Sequence, residues 1–199
     1  MSNALTWQKV TKDLYTAVLI QVAAGILGGI FGVINLLNAP DNLAEVLLTG
    51  DVGFGALDVL ELICSLAAVG GCIWFFISLG NWKKVAEAND VPAIHKLWLA
   101  SLLSIIGSVV AVLPVIGIIG GIVALVGLIF YLLGVSALKQ SATLPENAKN
   151  GANKLYIAMI IQVAAAVISI IPVIGLLGAL CAIAGLVVEL LGWKDIANS

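Results

Sequence analysis

Thirty-nine residues in the middle of the chain recur, without a gap, 58 positions later. Lys96–Gly134 aligns on Lys154–Gly192 with 15 identical positions, among them Pro-Val-Ile-Gly at 114–117 and again at 172–175. Apolar composition inflates chance identity, but an ungapped match around a shared Pro-Val-Ile-Gly does not follow from composition. A fixed period marks a structural unit used more than once. A third copy opens the chain. Leu14-Tyr15 matches Leu155-Tyr156, and Ile20-Gln21-Val22-Ala23-Ala24 matches Ile161-Gln162-Val163-Ala164-Ala165. This copy re-enters at Trp82-Lys83, matching Trp193-Lys194, and the offset falls from 141 to 111, so it carries 30 extra residues in its middle.

Composition decides where such units live. Hydrophobic residues make up 62% of the 199-residue chain, charged residues 10%, and mean hydropathy is +1.17. A soluble domain carries about 25% charged residues, so this chain has too little polar surface to cover a water-soluble globule. That argues against a soluble enzyme. A net charge of −2 argues against a nucleic-acid binder, which needs a basic footprint. What remains is a chain whose first partner is the lipid bilayer. The N-terminal segment does not read as a cleavable signal, because the apolar run after Leu14 is too long for one.

Each unit reads as helix, turn, helix. The expected fold class is an all-α integral membrane protein whose six transmembrane helices form three parallel helical-hairpin repeats. The units lie at about 13–86, 94–140 and 152–199 of a single transmembrane domain spanning 1–199, with an extramembrane insertion at 38–58. Helices are expected at about 13–37, 59–82, 94–113, 115–138, 153–171 and 173–194. Pro114 and Pro172 end the first helices of units two and three, since the residue before proline avoids helical dihedrals. Those two tips are wholly apolar, whereas a turn in water is rich in Asn, Asp or Ser. Either the tips stop short within the bilayer or something covers them. The expected cover is the insertion, with Asn38 or Asp41 capping a short helix that has Pro40 in its first turn. The stretches 85–94 and 140–153 read as polar connectors.

Charge gives a direction to the hairpins. All nine lysines (9, 12, 83, 84, 96, 139, 149, 154 and 194) fall on one side, against six acids there, a balance of +3. The tip side carries five acids and no base. The positive-inside rule then places both termini in the cytoplasm, most simply of a bacterial inner membrane. Trp7, Tyr15, Trp82, Trp98, Tyr156 and Trp193 gather on the lysine side and read as headgroup anchors.

Few side chains could carry chemistry. His95 is the only histidine, and Cys64, Cys72 and Cys181 lie in apolar runs without metal-ligand spacing. No catalytic, cofactor-binding or metal-ligating residue is expected, and no cofactor. The polar residues inside the spans form two equivalent sets across the repeats: Gln21, Ser104 and Gln162, then Ser78, Tyr131 and Glu189. Around a pseudo-threefold axis each set would make a polar ring, the skeleton of a transport pathway. Taken singly, they bond neighbouring helices. Small residues recur at helical spacing, with Gly25 and Gly29 in a GxxxG and Gly120 equivalent to Gly178. In lipid such residues let helix backbones approach closely. The expected function is therefore a non-enzymatic multi-pass protein, a scaffold or partner-binding protein that packs its Gly/Ala faces against itself or other membrane proteins. The alternative is a small transporter or channel using the two polar sets.

Overall fold

A computed structural model of the chain describes residues 5–49, 55–111, 117–169 and 175–199, with the backbone alone at 36, 38–49, 111, 117–118, 169, 175–176 and 179. The described elements are helices: α1 (Trp7–Thr49), α2 (Ala56–Val85), α3 (Val91–Ala111), α4 (Gly117–Lys139), α5 (Glu146–Ser169) and α6 (Gly175–Ala197). Five of them contain stretches long and apolar enough to cross a membrane: Trp7–Asn35, Ala56–Val85, Val91–Val110, Ile119–Lys139 and Glu146–Ile168. The chain is thus a multi-pass membrane protein. The sixth, α6, carries Glu189, Lys194 and Asp195.

The ends of several helices depart from the expected positions. α1 runs unbroken through Pro40 to Thr49, so neither Asn38 nor Asp41 caps a separate short helix. An interior proline removes one backbone hydrogen bond, at about 3 kcal/mol. The good helix formers on both sides, Leu36-Leu37 before it and Leu43-Ala44-Glu45 after it, favour continuation. At 1.5 Å per residue α1 is roughly 65 Å long, about twice the hydrocarbon thickness. α3 begins at Val91, with Pro92 in its first turn where its missing N–H costs nothing. α5 begins at Glu146, directly after Pro145, and takes in most of the supposed 140–153 connector. The tips at Pro114 and Pro172 lie outside the described residues, and so do the side chains of 38–49 that were expected to cover them.

The chain divides into two compact units. One comprises Met1–Thr16 with Trp74–Ser199, the other Ala17–Ile73. In the first, α3 packs on α4, α4 on α5 and α5 on α6. Two antiparallel pairings use the same contact 58 residues apart. A Cβ at Gly134 would lie 2.9 Å from the Ala93 carbonyl oxygen and against Leu97, while one at Gly192 would lie 2.8 Å from the Gly151 carbonyl oxygen and against Leu155. The core of this unit sits at the lysine-bearing helix ends, where Leu14, Leu79, Trp82, Ile94, Leu138 and Trp193 are buried. Away from it the helices turn large apolar side chains outward: Val109 is 66% exposed, Leu125 61% and Val167 60%. A soluble protein would bury such residues; in hydrocarbon they meet lipid tails at no cost.

In the second unit α1 and α2 run antiparallel. A Cβ at Gly28 would meet the Cys64 Cβ at 3.3 Å, and Gly32 faces the Glu61 carboxylate. At its far end Asn35 donates a 2.6 Å hydrogen bond to Asp58, whose other oxygen accepts from the Gly55 amide at 2.9 Å. The Asp58 carboxylate thus satisfies an orphan donor at the start of α2.

Candidate functional site

The polar positions inside the spans are held by helix crossings of one form. In the first unit Gln162 of α5 lies across Gly185 of α6, where a Cβ would stand 2.8 Å from Gln162 Cγ and 3.4 Å from the Ala158 carbonyl oxygen. Ser104 of α3 lies across Gly127 of α4, where a Cβ would stand 3.3 Å from Ser104 Oγ and 3.1 Å from the Ala100 carbonyl oxygen. In the second unit Gln21 of α1 lies across Gly71 of α2, with a Cβ 2.7 Å from Gln21 Cγ and 3.1 Å from the Ala17 carbonyl oxygen. A glycine in one helix thus makes room for a polar side chain in the other, one turn beyond an alanine carbonyl.

The partners of these polar groups differ. Gln162 Nε2 donates to Glu189 Oε2 at 2.8 Å. Tyr131 of α4 is near enough to feel the charge of that carboxylate. The structure therefore joins Gln162 to Glu189, with Tyr131 within electrostatic range. Among the described residues no hydrogen bond joins Ser104 or Ser78 to this group; Ser104 is exposed and Ser78 only 2% exposed. In the other unit the Cys72 thiol donates to Gln21 Oε1 at 3.4 Å, and Gln21 Nε2 is buried with no described partner. An unpaired buried amide costs about 1–3 kcal/mol.

The small residues also separate into two groups. Gly120 and Gly178 are buried, and the Gly120 carbonyl oxygen lies 2.8 Å from where a Cβ on Gly107 would stand. A Cβ on Gly25 or Gly29 would have no described heavy atom within 4 Å outside its own helix turn. The close approach on this helix passes through Gly28 instead.

Two features escaped the sequence. Trp82 and Trp193, expected as headgroup anchors, are 1% and 0% exposed. Their rings pack edge to face at 6.3 Å, with Trp7 against Trp82 at 5.6 Å and Phe75 against Trp193 at 5.2 Å. Where four rings from three helices converge, burial outweighs interfacial solvation. The indole N–H groups of Trp82 and Trp193 find no acceptor within hydrogen-bonding distance among the described residues. Trp7 donates to Ser199 Oγ at 3.1 Å and so ties the two chain ends. The second feature is Asp90, 4% exposed, which accepts from Ser141 Oγ and, at 2.7 Å, from Thr143 Oγ1. It links the α2–α3 connector to the α4–α5 connector. An aspartate in a polar loop carries no sequence signal that it will be buried.

Among the described residues no three His, Cys, Asp or Glu side chains gather in a cluster able to hold a metal ion. No protein family, no curated protein and no solved structure matches the chain.

Proposed function

We propose that the protein is a non-enzymatic membrane scaffold that associates, through the exposed small-residue face of α1, with a second copy of itself or with another membrane protein. One observation carries the reading. Gly25 and Gly29 stand one turn apart with no described atom over them, flanked by Ile26, Ile30 and Val33 at 46%, 49% and 58% exposed. Gly71, Gly127 and Gly185 are by contrast taken up by internal crossings. Gly70 and Gly121 also stand uncovered, but among the glycines whose surroundings are described only Gly25 and Gly29 form an uncovered pair one turn apart. An uncovered GxxxG on a membrane helix is a surface against which a second backbone can pack. A photoreactive amino acid at Ile26 should crosslink to a discrete protein partner or to a second copy, and Gly25→Leu should abolish the crosslink. Adducts with lipid alone would sink the idea.

The architecture proposed with it is three hairpin units in parallel, supported by the matched crossings at Gln21, Ser104 and Gln162. Both termini are proposed to be cytoplasmic, in a bacterial inner membrane, supported by the segregation of all nine lysines to six helix ends.

A transport pathway is the second reading. The observation favouring it is the carboxylate of Glu189 within α6, bonded to Gln162 beside Tyr131. An acid inside a span is costly and marks ion or proton pathways. Flux of a cation or proton in proteoliposomes that is lost in Glu189→Gln would favour transport; absence of flux in the parent protein would leave the carboxylate as a bond between helices.

A further inference from the structure

The lysine-bearing ends of α2 and α3 enclose an open groove of about 470 Å³ lined by Phe76, Ile77, Gly80, Asn81, Lys83, Lys84 and Trp98. Its floor is aromatic: Phe76 stacks on Trp98 at 4.9 Å, and the His95 ring stacks on Trp98 at 5.8 Å with an interplanar angle of 13°. Gly80 borders the indole, and a Cβ there would stand in ordinary van der Waals contact, 3.7 Å from Trp98 Nε1. Its rim is cationic. The Lys83 ammonium sits 4.2 Å from the Trp98 ring centroid and donates to His95 Nδ1 at 3.5 Å. The Lys84 ammonium donates to Asn81 Oδ1 at 3.1 Å.

Neither lysine has a carboxylate partner among the described residues, whereas Lys154 is paired with Asp195 at 2.6 Å. Lysines in the last turn complement the helix dipole. That accounts for a positive charge at this end of α2, but not for two lysines set on the rim of an aromatic groove. The wall supplies the other half of the recognition. Ile77, 54% exposed, lies on the membrane-spanning part of α2, two turns before the lysines. Charge at the helix end and apolar surface toward the span match a molecule with an anionic head and hydrocarbon tails.

We propose that this groove binds the headgroup of an anionic phospholipid, with Lys83 and Lys84 on the phosphate and the Phe76–Ile77 wall along the first part of an acyl chain. Basic pockets beside transmembrane helices take such headgroups, and each lysine near an anionic surface contributes roughly fivefold in affinity. The inference stands apart from the scaffold reading, since it uses α2 and α3 at their lysine ends and not the glycine face of α1.

The experiment uses the full chain in a neutral detergent, with bound lipids counted by native mass spectrometry and stability followed by thermal melting. The probes are phosphatidylglycerol, phosphatidylcholine of the same chain length, and inorganic phosphate. Phosphatidylglycerol is expected to bind and raise the melting temperature, and the other two are not. Lys83→Gln with Lys84→Gln should weaken phosphatidylglycerol binding by roughly twenty-five-fold, two such fivefold contributions. Gly80→Leu, which fills the groove and keeps both charges, should abolish it and serves as the test if the lysine variant does not fold. Equal binding of the two lipids would overturn the proposal, as would an unchanged phosphatidylglycerol effect in either variant. Inorganic phosphate reproducing the whole effect would assign the groove to a soluble anion and overturn the lipid assignment.

Discussion

Gly134 and Gly25 are both glycines in membrane helices, and only their surroundings separate them. At Gly134 a Cβ would stand 2.9 Å from the Ala93 carbonyl oxygen and from Leu97, so Gly134→Ala forces helices α3 and α4 apart. Overpacking of this kind costs ~1–3 kcal/mol, and the variant should melt earlier in detergent. At Gly25 nothing described lies within 4 Å, so Gly25→Ala should leave the melting temperature unchanged or raise it, by up to ~1 kcal/mol of helix propensity. Equal melting of the two variants would refute the packing assignment. Asp90 gives a second contrast. Asp90→Ala leaves the hydroxyls of Ser141 and Thr143 without their acceptor in a buried site, a loss of ~1–3 kcal/mol. Asp90→Asn retains an acceptor and should melt closer to the parent. The sequence pointed to small residues and to polar groups within spans, but not to which of them touch. Gly25, Gly29, Gly120 and Gly178 look alike in a pattern of spacing; only two of the four are buried.

Helix identity was legible because long apolar runs leave no alternative: a backbone in hydrocarbon must satisfy its own hydrogen bonds. Helix ends were not. Glu146–Asn153 is polar and contains Gly151, so it resembles a connector, yet it is the first two turns of α5. Its face made of Ala148, Gly151, Ala152 and Leu155 is buried, with Gly151 against Gly192 and Ile196 of α6. Three of the four residues of that i, i+3, i+4, i+7 stripe are alanine or glycine, too small to register as a hydrophobic period. α1 fails in the opposite sense, continuing through a proline that ought to end it. Pro40→Ala should restore the backbone hydrogen bond to residue 36, and amide exchange over 36–44 should slow. Unchanged exchange there would mean that the proline costs this helix nothing.

At the scale of the whole molecule the testable quantity is direction across the membrane. Every lysine belongs to the unit of Met1–Thr16 with Trp74–Ser199 and lies near a helix end. The proposed topology expects an impermeant thiol reagent added outside cells to modify a cysteine placed at Asp51 and to leave one placed at Lys149 unmodified. The reverse pattern would invert the topology. Native cysteines do not confuse this readout if replaced by alanine, since Cys64 is buried and Cys72 and Cys181 lie within helices.

What the sequence determined by itself was the solvent and the presence of several long apolar helices. These depend on sums over many residues, and a sum tolerates errors at single positions. What only the tertiary structure decided was the pairing of particular groups: Glu189 with Gln162, Asp90 with Ser141 and Thr143, Trp82 with Trp193, and Lys83 with His95 over Trp98. Each pair joins different helices or connectors, 12 to 111 positions apart in the chain. A hydrogen bond or ring contact depends on a fraction of an ångström and on where two backbones cross. Hydropathy fixes that a helix meets lipid or another helix, but not the rotation that turns one residue rather than its neighbour toward the contact.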